Sequence, residues 1–426
     1  MHYVIIGNSA AGIGAAEGIR QVDKDGSITI VSDEPHHTYS RPLISYLLSG
    51  KVTPEQMNYR NDDFYIENNC TLLSNAFVKK ICDEKRELQL EDGQELRYDK
   101  LLVATGSRAF VPDIDGLNTV EEKHFFMTLD DVNRLHSVLD GSKRVLIIGA
   151  GLIGLKCAEG VSSQTSQITV IDIAPRILSG ILDDGGAELV QRHIESQGVN
   201  FRLSCKVNKF KEKTAILDSG EELDFDILVL ASGVFPNVSL LEGICEIDKG
   251  IVVNTKSETT STGIYAAGDC TQTLDASSGQ SKVMALLPNA YLQGECAGIN
   301  MAGGEKVFEK AIPMNAIGFF GLHVITAGNY HGEVYSGNPD ADSEDLENTG
   351  SETTQDVEYK RLFYGDNRLN GYIMIGNVDK AGIYTSLIRD KSPLDSIDFA
   401  LICEKPRLMA FAKEDRKLML AGGASK

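Results

Sequence analysis

One pattern occurs twice in this chain and limits what the chain can fold into. Tyr3-Val4-Ile5-Ile6 runs into Gly7-Asn8-Ser9-Ala10-Ala11-Gly12 and then an Ala-rich stretch to Ile19. Val145-Leu146-Ile147-Ile148 runs into Gly149-Ala150-Gly151-Leu152-Ile153-Gly154, 142 positions later. Each apolar run breaks at closely spaced glycines and continues with helical character, and a second apolar run follows, Ile28–Val31 and Ile168–Ile171. The units also close alike, Leu101-Leu102-Val103-Ala104-Thr105-Gly106 against Ile227-Leu228-Val229-Leu230-Ala231-Ser232-Gly233. Apolar runs without alternation suit strands covered on both faces of a parallel sheet. The duplication predicts an α/β fold with two βαβ units in one chain.

Between these landmarks, Phe77–Ile81 and Leu88–Leu90 with a turn at Glu91-Asp92-Gly93 predict a small antiparallel crossover piece. Lys206–Phe210 and Ala215–Leu217 with a turn at Asp218-Ser219-Gly220 predict another. Beyond about residue 310 the character changes to strands punctuated by Gly318, Gly321, Gly328, Gly371 and Gly376, and then a short helical tail. Residues 336–358 hold eight acids and no base and read as a mobile, solvated surface insertion.

Charge and composition remove several classes of function. Forty-one Lys and Arg against 61 Asp and Glu give a net charge of −20, which argues against nucleic acid and anionic membranes as partners. A small basic docking patch is still compatible with it. The longest apolar stretch, Val145 to Leu155, passes through three glycines and falls short of the roughly 18–20 residues of a membrane span. Met1-His2-Tyr3 leads straight into Val4-Ile5-Ile6 without the charged leader of a signal peptide, so a cytoplasmic location is expected. The eight cysteines are scattered, the closest pair being twelve positions apart. No CxxC or Cys/His cluster occurs, so no metal site and no redox dithiol is expected.

A strand-to-helix turn built from small residues lets backbone N–H groups approach a pyrophosphate, with the helix N-terminus adding partial positive charge. Gly149-x-Gly151-x-x-Gly154 matches this fully, with Leu152 and Ile153 inside the turn and Ala158 beyond it. Gly7-x-Ser9-x-x-Gly12 has serine in the middle place and carries Ala10 and Ala11. An acid at the end of the second strand of such a unit accepts from a ribose hydroxyl. Glu34, with Asp33 as the alternative, stands 22 residues past Gly12, and Asp172 stands 18 past Gly154. A carboxylate there repels a 2′-phosphate, so NAD(H) is expected over NADP(H) at the second site. Ile264-Tyr265-Ala266-Ala267-Gly268-Asp269 is a third signal, an apolar strand placing one carboxylate at the ligand-binding edge of a sheet. Pro288 opens a helix reaching about Met301.

The ordered set of GxSxxG, Ala104-Thr105-Gly106-Ser107, GxGxxG, Ala231-Ser232-Gly233-Val234-Phe235-Pro236-Asn237 and Ile264–Asp269 resembles the FAD-dependent pyridine nucleotide–disulfide oxidoreductase family over about residues 1–305. The resemblance implies two Rossmann-like dinucleotide-binding domains. The FAD domain would be discontinuous, 1–110 and 236–308, with an NAD(P)H domain at 111–235 inserted in it. The remainder, 309–426, would be a C-terminal α+β interface domain that pairs subunits. It further implies that the Gly7–Gly12 turn, Glu34, Ala104, Thr105, Gly106, Gly268, Asp269 and Pro288 serve FAD. Gly149, Gly151, Leu152, Ile153, Gly154, Asp172 and Gly233 would serve NAD.

Tyr39-Ser40-Arg41-Pro42-Leu43-Ile44-Ser45 places Pro42 where oxidases, peroxidases and coenzyme A disulfide reductases of the family carry a redox cysteine. The YxRPxxS pattern is similar to the rubredoxin, ferredoxin and nitrite reductase flavoproteins, which implies that Arg41 and Pro42 lie by the flavin or its phosphates. Two departures stand out. Lys156 occupies a place where relatives often carry a Glu near the nicotinamide, and is open to three readings: a partner of the flavin edge, a partner of a neighbouring acid, or a helix-surface lysine. Phe235 stands where relatives often have Arg. A glutathione reductase-like His–Glu pair is not recognisable, and His323, in an apolar Gly-rich run, reads as structural.

The resemblance implies hydride transfer from NADH to FAD, followed by single-electron release to an outside carrier. Rubredoxin, ferredoxin or the iron–sulfur subunit of a larger complex is expected, with the chain a homodimer or one subunit of that complex. A redox-sensing interaction protein that binds FAD and NADH with slow turnover is the alternative.

Overall fold

An apolar run without alternation must be covered on both sides, and Tyr3–Ile6 meets that condition at the middle of a five-stranded parallel sheet, Val4 and Ile5 both fully buried. The computed structural model describes residues 1–337, 358–412 and Arg416. The chain begins with β1 (His2–Ile6), α1 (Ala10–Val22), β2 (Ser27–Val31), α2 (Ile44–Leu48), β3 (Cys70–Leu73) and β4 (Lys100–Val103). It continues with β5 (Lys123–His124), α3 (Leu129–Val138), β6 (Arg144–Ile148), α4 (Leu152–Val161), β7 (Gln167–Ile171), β8 (Val199–Arg202) and β9 (Ile227–Leu230). Then come β10 (Ile264–Ala266) and α5 (Leu287–Met301).

These strands form two parallel sheets of matching design, ordered β10-β4-β1-β2-β3 and β8-β7-β6-β9-β5. Even the registers correspond. Ile6 stands opposite Val31 and Val103, and Ile148 opposite Ile171 and Leu230. Both sheets belong to one compact unit, Met1–Ser179 with Glu195–Leu274 and Gln280–Glu309.

In the first sheet the return of the chain is as important as its start. β10 adds to the edge of β4, and α5 lies along α1. The two helices touch backbone to backbone: a Cβ on Gly294 would collide with the carbonyl oxygen of Ala11, and one on Gly298 with that of Ala15. Small residues are needed on both helices for that approach, which explains the Ala/Gly-rich sequence of α1. At the far end of α1, the buried Arg20 donates to the carbonyls of Asn68, Asp23, Gly26 and Asn69 at 2.6, 2.9, 2.7 and 3.1 Å. One guanidinium thereby ties the helix to the loops leading into β2 and β3.

Both antiparallel pieces have one strand more than the sequence pattern predicts. Val78–Cys82, Glu87–Leu90 and Glu95–Arg97 pair in order, as do Val207–Lys211, Thr214–Leu217 and Glu222–Asp224. The predicted Asp-Gly and Ser-Gly turns join the second strand to the third. The third strands, Glu-Leu-Arg and Glu-Leu-Asp, are short and polar at both ends, so they carry almost no β signal.

The second unit comprises Gly180–Ile194, Asp275–Gly279 and the residues from Lys310 onward. Its core is a five-stranded antiparallel sheet in the order Met314–Phe319, Leu322–Gly328, Arg368–Gly376, Glu358–Gly365, Glu333–Ser336. Helices Ala381–Arg389 and Phe399–Glu404 cover one face, with Leu362, Tyr372, Tyr384 and Ile402 between the layers. His323 is exposed rather than packed: Leu322 and Val324 on either side are buried, and strand alternation turns the residue between them outward. The acidic insertion expected at 336–358 falls on residues 338–357, which lie outside the described residues; Ser336 ends one strand and Glu358 begins the next. Among the described residues no helix is long and apolar enough to cross a membrane.

Candidate active site: two glycine-rich turns on one seam

The two glycine-rich turns are built by the same hydrogen bonds. Gly7 N donates to Val31 O and Gly149 N to Ile171 O, both at 2.8 Å, while Ala104 N donates to Ile6 O and Ala231 N to Ile148 O, also at 2.8 Å. Gly7 and Gly149 adopt φ of +117° and +114°, a backbone that L side chains rarely take. Gly12 and Gly154 each sit where a Cβ would strike the carbonyl oxygen of the opening glycine, so both close their turn for steric reasons. α1 and α4 start at Ser9 and Gly151 without a side-chain cap and without an acid in the first turn. Two helix N-termini thus lack a side-chain cap, the arrangement that receives an anion. A Cβ on Gly151 would meet nothing within 4 Å, so the second turn borders open space.

The strand-end acids are not equivalent, contrary to the parallel reading of Glu34 and Asp172. Ser32 N donates to Leu73 O at 2.9 Å as Asp172 N does to Arg202 O at 3.0 Å, and Asn75 N reaches Glu34 O as Ser204 N reaches Ala174 O. Ser32 is therefore the counterpart of Asp172, and Glu34 stands two residues further on. Asp172 braces its own turn, Oδ2 accepting from Ala150 N at 2.6 Å and Oδ1 from Ala174 N at 2.8 Å. Glu34 accepts from Tyr39 Oη at 2.6 Å and from Arg41. Asp33 is exposed.

Arg41 gathers the surroundings of the first turn. Besides Glu34, its guanidinium donates to Ser9 Oγ at 3.4 Å and Met127 O at 3.2 Å, and it lies 5.3 Å from the Tyr39 ring centroid. Pro42, in the short turn Arg41–Leu43, is exposed. Thr105 and Asn237 clasp each other, Thr105 Oγ1 donating to Asn237 O at 2.8 Å and Asn237 Nδ2 to Thr105 O at 2.9 Å. Gly106 and Gly233 flank an antiparallel ribbon, Ser107–Ala109 with Val234–Pro236, that joins the two halves. Gly268 N donates to Gln293 Oε1 at 2.9 Å, and Pro288 lies in the first turn of α5.

The halves also meet through contacts that no local sequence signal announces. His36 Nε2 and Asp130 Oδ1 are 2.7 Å apart, and Leu129 N donates to Tyr39 Oη at 3.0 Å. Against α4, Lys156 pairs with the buried Glu159, which Lys51 also reaches at 3.0 Å. The Lys156 ammonium lies 4.4 Å from the Tyr46 ring centroid. Lys156 thus meets a neighbouring acid on its own helix. Apart from Lys156–Glu159 within α4, these pairings join segments some 90 to 110 positions apart, beyond the reach of a motif.

The family model described as pyridine nucleotide-disulphide oxidoreductase matches residues 1–294. The chain belongs to this family. It is 32% identical over 404 residues to the NADH-dependent phenylglyoxylate dehydrogenase subunit epsilon of Aromatoleum evansii, covering 92% of this chain and 93% of that one. It is 29% identical over 310 residues to the rubredoxin-NAD(+) reductase of Pseudomonas putida, covering 71% and 80%. The solved putidaredoxin reductase, in its covalent complex with putidaredoxin, shares the fold with a TM-score of 0.83 at 22% identity, covering 100% of this chain and 99% of that one.

As a member of the pyridine nucleotide-disulphide oxidoreductases, the chain is an oxidoreductase that uses FAD and a pyridine nucleotide. The residues present fit a flavin nucleotide. Asp269, at the end of β10, is half-buried and accepts one long bond, from Ser107 Oγ at 3.5 Å. Burial pushes its carboxyl up, against the pull of Arg41 and Ser107. A carboxylate so placed has room to accept from ligand hydroxyls, and the uncapped start of α1 has donors for a pyrophosphate. Cys270, adjacent to it, is buried with Sγ 3.4 Å from Ala267 O, and burial pushes its thiol up to about 11. It stays a thiol at neutral pH, in contrast to the thiolate that redox cysteines require.

Proposed function

We propose that the chain draws electron pairs from NADH through FAD and delivers them singly to an external iron–sulfur protein, either as a free reductase or as the input subunit of a larger complex. The observation that carries this is the pair of uncapped helix starts on two matching sheets that meet along one seam. When bound, FAD supplies the chemistry of accepting one hydride, an electron pair, and releasing the two electrons one at a time. The Gly7–Gly12 turn with Ser9, Ala10 and Ala11 receives its pyrophosphate, Asp269 accepts from its ribityl chain, and Glu34 with Arg41 holds the adenosine and phosphate end. Ala104, Thr105, Gly106, Gly268 and Pro288 shape the same pocket.

Gly149, Gly151, Leu152, Ile153 and Gly154 receive the second dinucleotide, with Gly233 at its edge. Asp172 favours NADH over NADPH by repelling a 2′-phosphate. The acceptor is supported by two kinds of relative, a rubredoxin reductase and a subunit of an NADH-dependent dehydrogenase. It is further supported by Pro42 at the redox-cysteine place and by the absence of an activated thiol beside Asp269.

Domain limits at 1–110 with 236–308, 111–235 and 309–426 go with this assignment, as does a homodimer paired through the last of these. Eight unpaired cysteines favour the cytoplasm. Anaerobic mixing with NADH, followed by ferredoxin or rubredoxin, tests the function. Rapid carrier reduction is expected. A reduced flavin–nucleotide complex that persists in the presence of both carriers would instead identify a sensor.

A further inference from the structure

We propose that Lys156 makes the second pocket discriminate between the two charge states of its ligand, weakening the cationic oxidised nicotinamide ring relative to the neutral reduced one. The inference rests on the reading that the second turn binds NADH.

Position comes first. Lys156 stands two residues past Gly154, in the first half of α4, and its side chain is 11% exposed. It reaches the ring of Tyr46 on α2, the helix that follows Arg41, while Arg41 itself donates to Ser9 in the first turn. Lys156 therefore stands where the elements flanking the two turns touch. A hydride moves only when donor and acceptor atoms come within about 3–3.5 Å. A dinucleotide whose pyrophosphate rests on α4 must accordingly extend its ring to this seam.

Charge comes second. Oxidation adds one positive charge to that ring and leaves the rest of the dinucleotide unaltered, so the ratio of the two affinities reports the electrostatic potential at the ring. An ammonium in a poorly solvated seam raises that potential. At an effective dielectric near 20, unit charges several ångströms apart change affinity about ten- to a hundredfold. Glu159 offsets part of this, but Lys51 draws on the same carboxylate at 3.0 Å, and removing Lys156 would leave that carboxylate to attract the cationic ring. We therefore take the lower figure, about tenfold. The effect speeds departure of the oxidised product before the stored electrons have left, which suits a protein that empties itself in two single steps.

The test is equilibrium titration of the oxidised flavoprotein with NAD⁺, with 1,4,5,6-tetrahydro-NAD, whose ring is neutral and gives no hydride, and with ADP-ribose, which has no ring. In Lys156→Met the ratio of Kd for NAD⁺ to Kd for the tetrahydro compound should fall about tenfold, with ADP-ribose unaffected. Lys156→Arg should keep the native ratio. Lys51→Met, at the exposed end of the cluster, should shift the ratio in the same direction by a smaller factor, and it serves if Lys156→Met does not fold. An unchanged ratio, or parallel loss of all three ligands, overturns the proposal. Failure of all three to bind the native protein overturns the NADH reading instead.

Discussion

Asp172 is where the structure makes the most quantitative demand. Its carboxylate accepts from Ala150 N, inside the second turn, and from Ala174 N, just past the strand end. Hydrogen bonds to a charged group contribute about 1.5–3 kcal/mol each. The residue is half-buried, so the lower value applies, and Asp172→Ala should remove about 3 kcal/mol of bracing from the turn. At about 1.4 kcal/mol per tenfold, kcat/KM for NADH should fall roughly a hundredfold. NADPH loses the same bracing but escapes a repulsion of about 3 kcal/mol, the value for unit charges about 5 Å apart at an effective dielectric of 20. Its kcat/KM should therefore stay nearly level, and the NADH preference should shrink about a hundredfold. Asp172→Asn retains one acceptor and should show the same shift with a smaller loss. The assay is anaerobic stopped-flow reduction of the flavin at limiting nucleotide. Equal losses for both nucleotides would show Asp172 to be a brace and nothing more.

Asp269 should pull stability and binding in opposite directions. Burial raises its folded-state pKa, so its contribution to stability is complete below the ordinary carboxylate range and is lost as pH rises through the raised value. Asp269→Asn should therefore raise the Tm of the flavin-free protein at pH 7, with the gain vanishing in acid, while lowering FAD occupancy; an unchanged Tm with full flavin retention would contradict both. Arg20→Met removes the donors of four backbone carbonyls and should cost about 3 kcal/mol in urea unfolding; a loss below about 1 kcal/mol would mean water replaces them. Cys270→Ser should leave electron delivery within a few-fold, and anaerobic titration should end at one NADH per flavin. A requirement for two would reveal a second redox centre.

The parallel sheets were legible because their strands are apolar without interruption and their turns carry glycines that sterics demands at Gly7, Gly12, Gly149 and Gly154. Asp269 could be singled out because it follows closely on the apolar strand Ile264–Ala266. The difference between Glu34 and Asp172 was not, since counting from a glycine spans a helix and a loop whose lengths differ between the halves; only the strand-end bonds of Ser32 and Asp172 align them. The third antiparallel strands were hidden by their polar composition, and His323 by a run whose alternation was masked by flanking glycines. Tyr39, Asp130, Tyr46 and Glu159 were invisible for another reason. Their roles exist only once distant segments meet, and a carboxylate or phenol has the same local sequence whether it faces water or a partner.

The backbone contact between α1 and α5 sets an order of events on the ribosome. Ten of the thirteen residues of α1 are buried, and much of their cover comes from a helix that ends at Met301. The second sheet, by contrast, has all its strands once Leu230 has emerged. Synthesis therefore delivers an inner sheet with all its strands while the earlier-made outer sheet still waits for β10 and α5, the reverse of the usual N-terminal-first sequence. Chains whose first 235 residues have emerged from the ribosome should accordingly resist protease over 111–179 and 195–235 and be cut within 1–110, whereas emergence beyond residue 308 should protect 1–110 as well; equal protection at the earlier point would refute this order.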